Sequence, residues 1–192
     1  MVPTLAATLG VKGHRPVVGT RDCKDLLYCF ASVDCVTGKL HTRTLGCRAA
    51  ESRRAREGRP GRAGLSKTRR LQEAFAGHLR DVGGAYPARL HRRVVLVIDN
   101  APWHRGGPVA AALADNPHLE LYRLPSYSPR LAVIERFWKV LRRRATHNRL
   151  FDTLKELKAS LRNSLRYFQT VRSRMTRLIA GCYANATASA GT

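Results

Sequence analysis

A run of five apolar residues, Val94–Ile98, ends abruptly at Asp99. An uninterrupted run of this kind is typical of a strand in the middle of a sheet with both faces covered. A carboxylate at the end of such a strand is costly to desolvate, and the carboxyl ends of strands open onto the ligand crevice of α/β sheets. Asp99 is therefore a candidate metal ligand. The alternative is that it only caps the turn Asn100–Pro102 through backbone amides.

The segments around this strand alternate between strand and helix patterns. Strands are predicted at residues 16–20, 26–34, 39–45 and 119–124, and helices at residues 67–82, 107–115, 132–146 and from Thr153 onwards. A turn at Thr37-Gly38 makes the second and third strands an antiparallel hairpin, while Ser66 caps the first helix and Gly83-Gly84 ends it. This order predicts one α/β domain over residues 1–180, with a basic loop near 49–66 and a disordered tail at 181–192.

The charge of the chain is strongly positive. Lys and Arg total 35 against 13 Asp and Glu, which gives a net charge of +22 and a pI near 11.2. Such an excess makes nucleic acid the first partner to consider. No apolar run of roughly 18 residues and no signal peptide is found, so we predict no membrane association and a cytoplasmic location. The five cysteines include no C-x-x-C pair, which favours reduced thiols over a zinc site or disulfides.

Glu135 is a second acid with an unusual setting. It lies beside Ile134 and one turn before Trp138, at the border of the apolar stripe of the helix predicted at 132–146. Its carboxylate is therefore placed to reach inward across the end of the sheet. The alternative is a surface pair with Lys139, four residues further along the helix, worth a few tenths of a kcal/mol.

Three linked motifs connect these two acids. They are Val94-Val95-Leu96-Val97-Ile98-Asp99-Asn100-Ala101-Pro102-Trp103-His104, then Leu124-Pro125-Ser126-Tyr127-Ser128-Pro129, then Ile134-Glu135-Arg136-Phe137-Trp138. Their order and the 35 residues between Asp99 and Glu135 resemble the signature of DDE-type insertion-sequence transposases related to the mariner group. The resemblance extends from about Pro3 to Ile179.

The resemblance implies a ribonuclease H-like fold, a mixed sheet flanked by helices, that binds two Mg²⁺ or Mn²⁺ ions between three carboxylates. Asp99 corresponds to the second carboxylate and Glu135 to the third, and the implied activity is DNA strand cleavage and strand transfer during transposition. Asn100 and His104 are possible supporting residues. For His104 the alternative is a turn histidine held by backbone groups, and Trp103 is interpreted as a packing residue.

The chain departs from the family pattern in two places. The family's first carboxylate lies on a strand that would precede Met1, which predicts an N-terminally truncated catalytic domain with impaired activity. Asp22 or Asp25 is a possible substitute, and a second chain or a homodimer could supply the missing part. Ala132 stands where the family commonly has Asn, which weakens the cap of the helix that carries Glu135.

Basic residues follow Glu135 on the same helix. Arg136, Lys139, Arg142, Arg143 and Arg144 are candidate contacts for DNA phosphates, the alternative being ordinary surface charge. The function predicted from the sequence is DNA transposition by a metal-dependent transposase core associated with the nucleoid. The alternative is a basic remnant that binds nucleic acid without catalysis. A cellular nuclease or resolvase of similar fold would need its own complete set of acids, which this sequence does not show.

Overall fold

The computed structural model describes residues 25–47, 65–125 and 134–188, with side chains described up to residue 180. The elements in chain order are β1 (Leu26–Val33), β2 (Leu40–Cys47), α1 (Lys67–Ala85), β3 (Val94–Ile98), a 3-10 turn (Pro102–His104), α2 (Gly107–Ala114), β4 (Leu119–Arg123), α3 (Ile134–Ala145), α4 (Leu154–Thr170) and α5 (Arg172–Ala188). The predicted α/β class is confirmed. The strand predicted at 16–20 and the basic loop near 49–66 lie outside the described residues, apart from the last two positions of that loop.

Strands β1 and β2 form the predicted hairpin. They are antiparallel, and the register runs from Leu26 opposite Cys47 to Val33 opposite Leu40. The turn closes because the carboxylate of Asp34 accepts hydrogen bonds from the backbone N–H groups of the residues two and three positions later, at 2.8 and 3.1 Å. Gly38 completes it with φ of 68°, a conformation that glycine adopts without strain.

Strands β3 and β4 form a second, parallel pair, in register from Val94 opposite Leu119 to Ile98 opposite Arg123. Within the described residues the strands therefore form two separate two-stranded sheets, one antiparallel and one parallel. The expectation that β3 is covered on both faces is not met, because Val95 and Val97 are 49% and 58% exposed. The helices α1 and α2 cover only the opposite face of this pair, where Leu96 and Ile98 are buried.

Two hydrophobic cores lie on opposite faces of β1. The first core joins Phe30 to β3, β4, α1 and α2, and the second joins Leu27 to α3, α4 and α5. Successive side chains of a strand point to opposite faces, so a single strand can contribute to both cores. The buried members of the second core are Leu27, Leu40, Phe137, Leu141, Ala145, Leu157, Leu161, Leu165, Phe168 and Met175.

Helix α1 continues past the predicted end. Ser66 caps it as expected, its side chain accepting a hydrogen bond from the Arg69 N–H at 3.2 Å, but the helix passes through Gly83-Gly84 to Ala85. Gly83 is buried against the side chain of Asn116, and a Cβ at this position would overlap that amide. The glycine therefore allows α1 to approach the turn before β4 closely, which explains why it does not act as a helix terminator.

The C-terminal helices begin with a strong cap and end later than expected. Thr153 and Glu156 form the predicted capping box at the start of α4, with the Glu156 N–H donating to Thr153 Oγ1 at 3.2 Å and the Asp152 N–H donating to Glu156 Oε2 at 3.1 Å. Helix α5 extends to Ala188, whereas the sequence predicts a disordered tail from residue 181. Alanine recurs along this segment, and its high helix propensity accounts for the extension.

Three cysteines have side chains that the structure describes, and all three are free thiols: Cys29, Cys35 and Cys47. Burial raises the pKa of the Cys29 thiol to about 12, which keeps it protonated and unreactive. That these thiols are reduced in the protein stays a prediction. None of the helices in the described part of the chain is both long and apolar enough to cross a membrane.

Candidate active site at the end of β3

Asp99 lies directly after β3 with a largely exposed side chain, 69% accessible to solvent. Its Oδ1 atom accepts a hydrogen bond from the Ala101 N–H at 3.0 Å, and Nδ1 of His104 lies 3.0 Å from the same oxygen. The turn-capping role is therefore present. Oδ2 has no hydrogen-bond partner within the described residues, so the cap leaves one carboxylate oxygen available to a ligand.

His104 orients the Asp99 carboxylate. It ends the 3-10 turn, its side chain is only 12% exposed, and its ring lies on that of Phe75 with 4.2 Å between centroids. Burial lowers the pKa of His104, while its contacts with Asp99 act in the opposite direction. A neutral ring with the proton assigned to Nδ1 donates to Asp99, whose backbone oxygen is 3.2 Å away and whose Oδ1 is 3.0 Å away. Both interpretations of His104 therefore apply, because it binds a backbone group and a carboxylate.

The carboxyl ends of β3 and β4 are tied together around this turn. Asn100 Nδ2 donates to the Leu124 backbone oxygen at 2.8 Å, and Arg123 Nη2 donates to the His104 backbone oxygen at 2.9 Å. Asn100 thus acts as a structural support. The sequence analysis missed Arg123 and Phe75, for which the only signals were the position of Arg123 at a strand end and that of Phe75 on the buried face of α1.

Glu135 lies in the first turn of α3 and is exposed. The predicted apolar stripe of this helix is present, because Phe137 and Leu141 are buried in the second core and Ile134 and Trp138 pack against it. Within the described residues Glu135 makes no ion pair with Lys139. The segment 126–133, which connects β4 to α3, lies outside the described residues. That Asp99 and Glu135 share a site stays a prediction.

The ligand chemistry of Asp99 suits a hard divalent cation, because a carboxylate oxygen without a partner is the kind of ligand that Mg²⁺ and Mn²⁺ prefer. The described residues contain no group of three or more His, Cys, Asp or Glu side chains placed to bind a metal ion. Asp25 directly precedes β1, and Asp22 lies outside the described residues. The structure therefore presents one anchored carboxylate that fits the cation, without a full ligand set around it.

The basic residues of α3 divide into two groups. All five are exposed, and four of them make no aromatic contact within the described residues: Arg136, Lys139, Arg142 and Arg143. Arg144 instead stacks on the ring of Tyr167 in α4, with 3.9 Å from its guanidinium carbon to the ring centroid. Arg174 of α5 also lies over this ring, at 5.1 Å. Arg144 therefore has a structural role, since its cation–π contact links α3 to α4.

Comparison with known proteins identifies a family for this chain. The sequence profile of the DDE superfamily endonucleases matches residues 59–158, just over half of the 192 residues, and this range includes both Asp99 and Glu135. No curated protein matches the chain.

Three solved structures similar to this chain are complexes of the Mos1 transposase. The Mos1 mariner paired-end complex with Mn matches with a TM-score of 0.56 and 17% identity, covering 96% of this chain and 51% of that one. The Mos1 paired-end complex with the left transposon end gives 0.52 and 16%, covering 94% and 51%, and the Mos1 strand transfer complex gives 0.51 and 17%, covering 94% and 50%. The chain thus spans about half the length of these relatives, which share its ribonuclease H-like fold. The profile match, over more than half of the residues, establishes that the chain belongs to the DDE superfamily endonucleases.

Proposed function

We propose that the chain is the catalytic-core portion of a DNA transposase, in which Asp99 and Glu135 bind divalent cations that act on a phosphodiester bond. The observation that carries the proposal is the anchored carboxylate of Asp99 at the carboxyl end of β3, whose Oδ2 atom has no partner among the described residues. Membership of the endonuclease family and the fold shared with Mos1, a transposase solved with transposon DNA and with Mn, support it.

The residues around Asp99 have separate tasks in this proposal. His104 and the Ala101 N–H hold Oδ1, so the carboxylate keeps a fixed orientation before any cation binds. Arg136 and Lys139, exposed near Glu135 on α3, offset the charge of a nearby phosphate backbone. Bound Mg²⁺ or Mn²⁺ would supply Lewis acidity and lower the pKa of a water nucleophile.

Metal binding by this site is tested by titrating Mn²⁺ and following the free ion by electron paramagnetic resonance. We expect Asp99→Asn and Glu135→Gln each to weaken Mn²⁺ binding by at least roughly tenfold, the loss that changes around a metal ligand commonly cause. Asp115→Asn is the matched control, because Asp115 is an exposed acid paired with Arg80 on another part of the surface. Equal affinities for all four proteins would overturn the metal-binding proposal.

Strand cleavage is the finer part of the proposal. Residues 1–192 carry two of the three carboxylates that the family resemblance implies, so we expect these residues alone to nick supercoiled plasmid in Mg²⁺ no faster than the Asp99→Asn variant. Nicking that is lost equally in Asp99→Ala and Asp25→Ala would show that Asp25 completes the site. Rapid nicking that depends on Asp99 and not on Asp25 would contradict the expected impairment.

The second candidate function is nucleic-acid binding without catalysis. It is favoured by the net charge of +22 and by the absence, over residues 25–47, 65–125 and 134–180, of an assembled metal-binding group. The Mn²⁺ titration distinguishes the two functions, because a purely electrostatic binder gains no metal affinity from Asp99. A homodimer or a second chain that completes the site remains part of the first proposal.

A further inference from the structure

A groove between α4 and β2 is lined by three cations. Lys158, Arg162 and Arg166 lie along its α4 side, Thr42 and Thr44 lie along its β2 side, and its volume is about 200 Å³. The groove belongs to elements that pack in the second core, whereas Asp99 follows a strand of the first core. It also differs from the basic face of α3 to which the sequence directs attention.

The spacing of the three cations makes them a continuous row. Positions four apart on a helix are neighbours on one face, about 6 Å apart along the axis. The row lies beside the buried stripe of α4, whose members include Leu161 and Leu165, and Leu165 also lines the groove. Helix packing therefore holds this row next to β2.

The β2 side of the groove contributes hydroxyl groups. Thr42 and Thr44 follow Leu40 at intervals of two residues, so all three face the same way, and Leu40 is buried in the second core with α4. Gln169 fixes this arrangement because its Nε2 donates to the Leu40 backbone oxygen at 3.3 Å and to Thr42 Oγ1 at 3.4 Å.

Acids of the described residues do not compensate the positive charge of the groove. Within the part of the chain that the structure describes, Lys158, Arg162 and Arg166 form no ion pair with an acid, and all three are exposed. Arginine, lysine and threonine side chains are the usual ligands of phosphate oxygens in DNA complexes. A row of cations beside an edge strand can also serve only to keep that edge from pairing with other chains, which is the alternative to be tested.

We propose that this groove binds the phosphate backbone of double-stranded DNA, as a second contact surface separate from the candidate active site. The proposal rests on the proposed function for its choice of DNA among polyanions. Contacts of this kind carry no base readout, so binding is independent of sequence and strongly dependent on salt.

The test compares two double variants of equal charge. Arg162→Gln with Arg166→Gln removes two cations from the groove, and Arg89→Gln with Arg92→Gln removes two exposed cations from the loop between α1 and β3. Glutamine keeps a high helix propensity, and thermal melting by circular dichroism checks that α4 is retained. Binding of a labelled DNA duplex of arbitrary sequence is measured by fluorescence anisotropy in EDTA over a range of salt concentrations.

We expect the groove variant to bind the duplex roughly tenfold more weakly at low salt and its slope of log K against log salt to fall by about 2, since each lost phosphate contact lowers that slope by about 0.9. The loop variant should bind as the wild type does. Equal slopes for the two double variants would overturn the proposal, as would an equal loss of binding to polyglutamate, which would point to acidic protein partners. Because no divalent cation is present, these outcomes are independent of the Mn²⁺ titration at Asp99.

Discussion

Replacing Phe137 by alanine is expected to lower the free energy of unfolding by about 3–5 kcal/mol, the usual cost of emptying a buried aromatic position. Phe137 is 2% exposed, and its ring meets that of Phe168 edge to face, with 5.4 Å between centroids and 87° between planes. The ring of Trp138, the next residue in the chain, also packs on Phe137, with 5.2 Å between the two centroids. The alanine variant loses both the buried area and these aromatic contacts.

Urea denaturation followed by circular dichroism measures this loss. Phe137→Leu is the matched control, because it keeps an apolar side chain in the second core and leaves a smaller cavity, so it should cost less than the alanine variant. A loss below about 1 kcal/mol for the alanine variant would contradict the packing of α3 on α4. The size of the effect matters for the site, since α3 is the helix that carries Glu135.

Lowering the pH from 7 to 5 is expected to reduce the free energy of unfolding by about 2 kcal/mol through His78 alone. His78 is 1% exposed, and its Nε2 lies 2.7 Å from Ser32 Oγ. Burial lowers the pKa of His78 to about 4, with Asp81 opposing this and His41 and Arg43 adding to it. Below pH 6.5 the unfolded chain takes up a proton that the folded chain does not accept until about pH 4, so stability is lost over that window.

The contribution of His78 is isolated by comparing wild type with His78→Gln at both pH values, because other titrating groups then cancel. We expect the stability difference between the two proteins to shift by about 2 kcal/mol in favour of the variant at pH 5. Phe137→Ala serves as the pH-independent reference, since neither side chain binds a proton. An unchanged wild-type-to-variant difference would show that His78 is protonated in the folded protein well above pH 5.

Local signals in the sequence were sufficient for most elements. The apolar run of β3, the hairpin turn at Gly38 and the capping box at Thr153 each act over a few residues, and the structure confirms all three. Patterns that span only a few residues depend on local backbone geometry and on neighbouring residues, so they can be recognised from a single sequence.

The departures come from contacts between distant residues. Helix α1 contains Gly83 because the side chain of Asn116, far along the chain, occupies the space that a side chain at position 83 would need. The exposed face of β3 follows from the placement of α3 and α4 on the other sheet, which the hydrophobicity of Val95 and Val97 does not reveal. Such effects require the packing to be known first.

In the candidate site, too, the features set by nearby residues could be predicted and those set by distant contacts could not. The sequence identified Asp99 and His104 as neighbours of a strand end, and the structure joins them by hydrogen bonds. It gave no indication that Arg144 stacks on Tyr167 or that the cations of α4 line a groove with β2. The four-residue spacing of the α4 cations can be read from the sequence, but that they line a groove depends on which strand packs beside the helix.

Because β1 lies between two cores, each core has one tryptophan packed against it, and the fluorescence of that tryptophan reports on its core. The chain has two tryptophans, and Trp103 packs against the core on the Phe30 side of β1 while Trp138 packs against the core on the Leu27 side. Their indole emission therefore samples the two halves of the molecule from either side of one strand. Fluorescence from this chain carries a separate signal for each half without any added label.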